Sequence, residues 1–145
     1  MATVEWRHSR KRLILPVVVM APVAATNPNL SIRVEGLLDT GATGSGIHPR
    51  LVDELGLERK GQRVIATANG EIVAAEVMHR IGFIAGDYTD PDFLPDQHLP
   101  YIFDRSIIAF ELQQGFGYAI LIGMDVIGQC DLAVQRDGTA SLRLP

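Results

Sequence analysis

The chain has 145 residues, 47% of them apolar and 21% charged, with a net charge of −4. That length suits one domain and that apolar share can fill its core, while the acidic balance excludes a nucleic-acid footprint over most of the surface. A single cysteine, Cys130, excludes an intrachain disulfide framework and a multi-cysteine zinc site.

The first segment is basic, Arg7-His8-Ser9-Arg10-Lys11-Arg12, and an apolar run over residues 13–25 follows it. That order resembles a secretory signal, with Ala24 and Ala25 as a cleavage position. The run is shorter than the ~20 apolar residues that cross a bilayer. Val17-Val18-Val19, punctuated by Pro16 and Pro22, fits a strand near an edge. We expect the strand, with residues 1–12 as a solvated basic tail and residues 13–145 as one domain. A cytoplasmic location is favoured over a secreted one.

A strand over residues 13–21 ends in the turn Thr26-Asn27-Pro28-Asn29. Residues 31–38 alternate, with Ile32, Val34 and Leu37 opposed to Arg33 and Glu35, as in a half-buried strand. They run into Asp39-Thr40-Gly41-Ala42-Thr43-Gly44-Ser45-Gly46, a loop of glycines and hydroxyls. Leu51, Val52 and Leu55 have helical spacing, with Pro49 suited to the first turn and Gly56 to the residue past the end. Residues 64–68 and 72–77 flank Asn69-Gly70, a pair that favours a type I′ hairpin turn. Strand character returns at residues 81–84, and residues 86–100 are too broken by Asp and Pro for an element. Further strands are predicted around residues 107–110, 118–122, 132–135 and 140–144, with a short helix or turn at 124–128. One helix among many short strands predicts an all-β barrel or sandwich.

The segment that carries chemistry is Leu37-Leu38-Asp39-Thr40-Gly41-Ala42, a carboxylate where a strand opens into a loop that glycine lets approach a ligand. It resembles the hallmark of the retropepsin-like aspartic proteases: two apolar residues, then Asp-Thr/Ser-Gly-Ala/Ser. Their second mark, an apolar stretch ending in Gly before a short helix, is matched roughly eighty residues on by Ala119-Ile120-Leu121-Ile122-Gly123. The predicted hairpin lies between the two marks, where that family carries a flap. The resemblance implies an all-β acid-protease fold: a closed barrel with a flap hairpin and one or two short helices. It implies Asp39 as the catalytic carboxylate and Thr40 as a brace across a dimer axis. Gly41 would offer its backbone to substrate, and Ala42 would keep the loop narrow. Ala68, Asn69 and Gly70 would form the flap tip, and Ile120 and Ile122 would serve apolar subsites or the core beneath them.

Aspartic proteolysis uses two carboxylates that share one proton, because two such charges ~3 Å apart do not both ionise. This chain has one Asp-Thr-Gly, so the resemblance implies a homodimer in which a twofold axis brings Asp39 to its own copy. Substrates would be peptides or proteins, with no metal, cofactor, nucleic acid or membrane involved. Retroviral members usually carry Asp after the Ala and Arg after the Ile-Gly pair; here those positions hold Thr43 and Met124. The ion pair of the viral type is therefore absent, and the pattern is closer to cellular and bacterial members. The same fold used as a non-catalytic dimerisation or peptide-binding module is the alternative.

Asp39 alone would suit a turn, Asn69-Gly70 is a hairpin turn in any fold, and Asp125 suits a helix cap. The glycine spacing after Asp39 fits neither phosphate-binding fingerprint. Asp87, Asp90, Asp92 and Asp96 are interrupted by prolines and do not form a calcium loop. His8, His48, His79 and His98 are too scattered for zinc. Ser45 lacks the surroundings of a hydrolase nucleophile.

Overall fold

A computed structural model describes residues 2–145. The first strand, β1 (Thr3–Arg7), lies within the segment expected as a tail. Its Val4 and Trp6 are buried while Glu5 and Arg7 face solvent. Burying two such side chains contributes about 2 kcal/mol each, which fixes the segment to the domain. The two-residue alternation of Val4 and Trp6 was the signal, and the neighbouring basic run obscured it.

The next strands are β2 (Leu13–Met20) and β3 (Ser31–Leu38), paired antiparallel from Leu13↔Leu38 to Met20↔Ser31. Pro16 is tolerated because β2 is flanked on both sides only from Val18 onward. In β3 the parity differs from the expected one. Gly36 and Leu38 are buried on the side of Ile32 and Val34, and Leu37 is only half-buried on the other. A two-residue strand β4 (Gly46–Ile47) and helix α1 (Pro49–Glu54) follow. Pro49 opens the helix, His48 caps it by accepting from the Arg50 N–H, and Gly56 takes φ +62° just past its end.

Strands β5 (Arg59–Thr67) and β6 (Gly70–Phe83) form a long hairpin. The turn is shifted by one residue from the expected type I′. Thr67 pairs with Gly70, Ala68 and Asn69 turn the chain without positive φ, and Gly70 takes φ +108°. The Thr67 hydroxyl donates to the Gly70 carbonyl at 2.7 Å and accepts from the Asn69 N–H, which holds the shifted turn. Instead of the two expected segments, β6 is one strand of 14 residues. It pairs in succession with β5, β9, β2 and β8.

The remaining elements are β7 (Gly86–Asp87), a 3₁₀ turn (Pro95–Gln97), β8 (Tyr101–Ile102), β9 (Ile107–Glu111), β10 (Ile120–Ile122), α2 (Met124–Ile127), β11 (Asp131–Val134) and β12 (Thr139–Arg143). Pairing runs β2-β3-β10-β4-β9-β6 and returns from β6 to β2, a barrel-like ring around the core. A second sheet, β11-β12-β1-β7, joins the two ends of the chain. The fold is mostly β with two short helices, and no helix among the described residues is long and apolar enough to cross a membrane.

The core holds one ionisable ring. His79 is fully buried, with Nδ1 2.9 Å from the Arg80 carbonyl and Nε2 without a partner among the described residues. Burial lowers its pKa, opposed by the Arg80 carbonyl and the charge of Asp125. A lowered folded value means that acid protonates the unfolded ring first. The contribution to stability is therefore complete above the ring's ordinary 6.5 and is lost as pH falls below it. Each pH unit in which only the unfolded ring is charged costs about 1.4 kcal/mol. We expect urea midpoints to fall between about pH 7 and about pH 5, with a shallower fall in His79→Gln. Equal slopes in both proteins would exclude this ring as the cause.

Candidate active site

Asp39 stands where β3 ends, and its backbone is fixed before its side chain is considered. Its N–H donates to the Ile122 carbonyl at 2.8 Å, and its own carbonyl accepts from the Ala42 N–H at 3.1 Å. The carboxylate Oδ1 accepts from the Gly41 N–H at 2.9 Å. Thr40 and Gly41 are exposed, and Asp39 and Ala42 are half-buried. The carboxylate is thus held at the surface in one orientation, the state in which it can meet a ligand.

The loop takes this shape because the chain leaves β3, passes over the end of β10 and returns as β4. Strand β10 lies between them, parallel to β3 and antiparallel to β4. The crossing point is Gly123. A Cβ there would stand 2.6 Å from the Gly44 carbonyl oxygen and 2.9 Å from that of Ala42, both backbone atoms. Glycine is required by close approach, since φ is −96°. The N–H groups of Met124 and Asp125 then donate to the carbonyls of Ala42 and Thr43.

A second tie runs through side chains, and the sequence reading missed it. The Asp125 carboxylate accepts from the Ser45 hydroxyl at 2.6 Å, the Ser45 N–H at 3.0 Å and the Val126 N–H at 3.0 Å. The Ser45 oxygen accepts in turn from the Gly123 N–H at 3.0 Å. Ser45 is fully buried and so depends on these partners. The N-cap of α2 is Gly123, so Asp125 is not the cap expected of it; from the first turn it accepts from the Val126 N–H and clamps the Asp39 loop to that helix. Nothing local in the sequence pairs residues eighty positions apart, although an Asp in a first helical turn and a Ser in a glycine-rich loop each invite a partner.

The other residues singled out from the sequence divide. Ile120 and Ile122 are fully buried, so of their two expected roles they fill the core beneath the loop. Ala68, Asn69 and Gly70 form the exposed tip of the β5–β6 hairpin. Arg63 of that hairpin pairs with Glu76 and donates to the Ile108 carbonyl. A Cβ on Gly44 would meet its guanidinium at 3.1 Å, so the hairpin base and the Asp39 loop are in close contact.

Residues 24–94, which include the Asp39 loop and the hairpin, match the aspartyl protease family. The structure is similar to a retropepsin-like aspartic protease from Rickettsia conorii, at 17% identity and TM-score 0.61, covering 98% of this chain and 92% of the other. The chain has the retropepsin-like aspartic protease fold. Weaker likenesses are seen with the EIAV protease in complex with the inhibitor HBY-793 and with the retroviral protease-like domain of Ddi1 from Leishmania major. The first has 17% identity and TM-score 0.49, covering 85% of this chain and 91% of the other. The second has 15% identity and TM-score 0.40, covering 86% and 80%. No curated protein matches the sequence.

Proposed function

We propose that this chain is an aspartic endopeptidase that works as a homodimer, with Asp39 of each copy in a shared dyad. The observation that carries the reading is a carboxylate fixed in the wall of a cleft of about 390 Å³ whose lining includes no second carboxylate among the described residues. The chemistry of the fold needs two, and a twofold axis supplies the other. One carboxylate takes a proton from water, and the other, protonated, polarises the peptide carbonyl. Water attacks directly, and no covalent intermediate forms.

In this reading Thr40 braces the two loops, Gly41 and Ala42 line the substrate path, and the β5–β6 hairpin is the flap. The flap assignment is supported by apolar surface with nothing over it. Val64 and Val73 face each other across the hairpin at 61% and 65% exposure. A peptide strand laid beneath would cover such a surface. The test is cleavage of an unfolded protein at high chain concentration, with Asp39→Asn as the control and a bell-shaped dependence on pH expected. Matched cleavage by both proteins would assign the activity elsewhere. Silence from a dimeric wild type would favour a binding module on the same fold.

A further inference from the structure

The basic segment expected as a solvated tail is an ordered turn beside Asp39. The Ser9 hydroxyl oxygen accepts from the N–H groups of Lys11 and Arg12 at 3.3 and 2.9 Å, and the Ser9 N–H donates to the Arg12 carbonyl. Two side chains brace the turn from outside. His8 Nε2 donates to the Gln135 carbonyl at 2.9 Å while its Nδ1 accepts from the Arg10 N–H. The Arg10 guanidinium donates to the Arg136 carbonyl at 3.0 Å. Arg10 also holds φ +67°, the one non-glycine residue at positive φ among the described residues. Such a conformation persists where the surroundings impose it, and it is a pointer to function.

The β2–β3 ladder sets where this turn lies. Its last pair is Leu13↔Leu38, so one step further along the two chains stand Arg12 and Asp39. The Asp39 cleft is accordingly lined by His8, Arg10, Lys11 and Arg12, with Leu13 and Leu38 among its apolar walls. None of the ion pairs among the described residues engages Arg10, Lys11 or Arg12. Asp137, in the bracing turn, accepts from the Thr139 hydroxyl and N–H. In a chain of net charge −4, a run of cations without carboxylate partners has been gathered at the one cleft that holds the proposed catalytic group. Cations lining a concave site concentrate an anionic ligand there and repel a cationic one.

We propose that this turn is a specificity element: Lys11 and Arg12 select peptide substrates that carry acidic side chains near the scissile bond. This rests on the proteolytic reading of Asp39. The test compares peptides that differ only in Glu against Gln within a few residues of the cleaved bond, using the wild-type dimer and the double variant Lys11→Glu/Arg12→Glu. The wild type should favour the Glu peptide in kcat/KM by about threefold to tenfold. That preference should shrink as salt rises from about 0.05 to about 0.5 M. The double variant should reverse it. The ratio within each protein is the readout, so a variant of lower overall activity still gives an answer. Equal rates on both peptides by the wild type would overturn the proposal. So would an unchanged ratio in the variant, including the case where only dimer strength changes. No cleavage of either peptide by the wild type at any concentration would instead remove the proteolytic reading itself, and this one with it.

Discussion

Asp39→Asn should lower kcat/KM by at least about a thousandfold while leaving the fold intact. Asn keeps the shape of the side chain and its oxygen can still accept from the Gly41 N–H, the carboxylate's hydrogen bond in the isolated chain. The backbone ties to Ile122 and Ala42 do not involve the side chain at all. Stability should therefore move by no more than about 0.5 kcal/mol. The dimer should be no weaker, because two carboxylates brought together repel when both are charged and two amides do not. The combination is diagnostic: activity lost, unfolding midpoint kept, association kept. A variant that loses activity together with its fold would say nothing about catalysis, and these contacts predict that it does not.

Asp125→Ala should be costly in a different way. It removes the acceptor for three donors, two of them on Ser45, which is fully buried. Hydrogen bonds to a charged acceptor contribute about 1.5–3 kcal/mol each, and an orphaned buried donor loses its full desolvation cost. After relaxation we expect a loss of about 3 kcal/mol in unfolding free energy. Activity should fall by about a hundredfold, the scale expected when a reacting group is misplaced by an ångström. The role is one of positioning, so the pH profile of the residual activity should keep its shape. Asp125→Asn keeps one acceptor oxygen but turns an NH2 donor toward another of these donors, so it should recover only part of both losses. Chemical denaturation and kcat/KM across pH check the set. A changed profile would argue that the carboxylate acts in the chemistry itself.

These two residues show where the sequence was informative. The Asp39 loop was legible because its signals are local and ordered along the chain: an apolar strand, Asp-Thr-Gly, a hairpin, then Ile-Gly and a turn of helix. Strand β3 has the expected ends, and α1 was placed by its own proline and terminal glycine. Glycine at 123 was visible as a motif, but its physical reason, two backbone carbonyls within 3 Å of a would-be Cβ, required the passage of the 39–45 loop over the end of β10. The Ser45–Asp125 clamp was not legible, since side-chain pairing across eighty residues leaves no periodic trace.

Two misreadings have simple causes. In residues 1–12 the basic run masks the short alternation of Val4 and Trp6 that seats β1 beside β12. The hairpin turn was placed on Asn69-Gly70 by the preference of that pair for positive φ. The Thr67 hydroxyl instead stabilises a turn centred on Ala68 and Asn69, with Gly70 alone at positive φ.

The central claim is that one active site needs Asp39 from two copies, and subunit mixing tests it most directly. A fixed amount of wild type, concentrated enough to be dimeric, is equilibrated with increasing Asp39→Asn chain and assayed for peptide cleavage. Random exchange leaves about a quarter of the dimers fully wild type in an equal mixture, so total activity should fall to about half of its starting value. It should fall further to about a quarter with a threefold excess of the variant. Activity that stays constant, however much inactive chain is added and exchanged, would contradict the shared dyad and assign catalysis to a single chain.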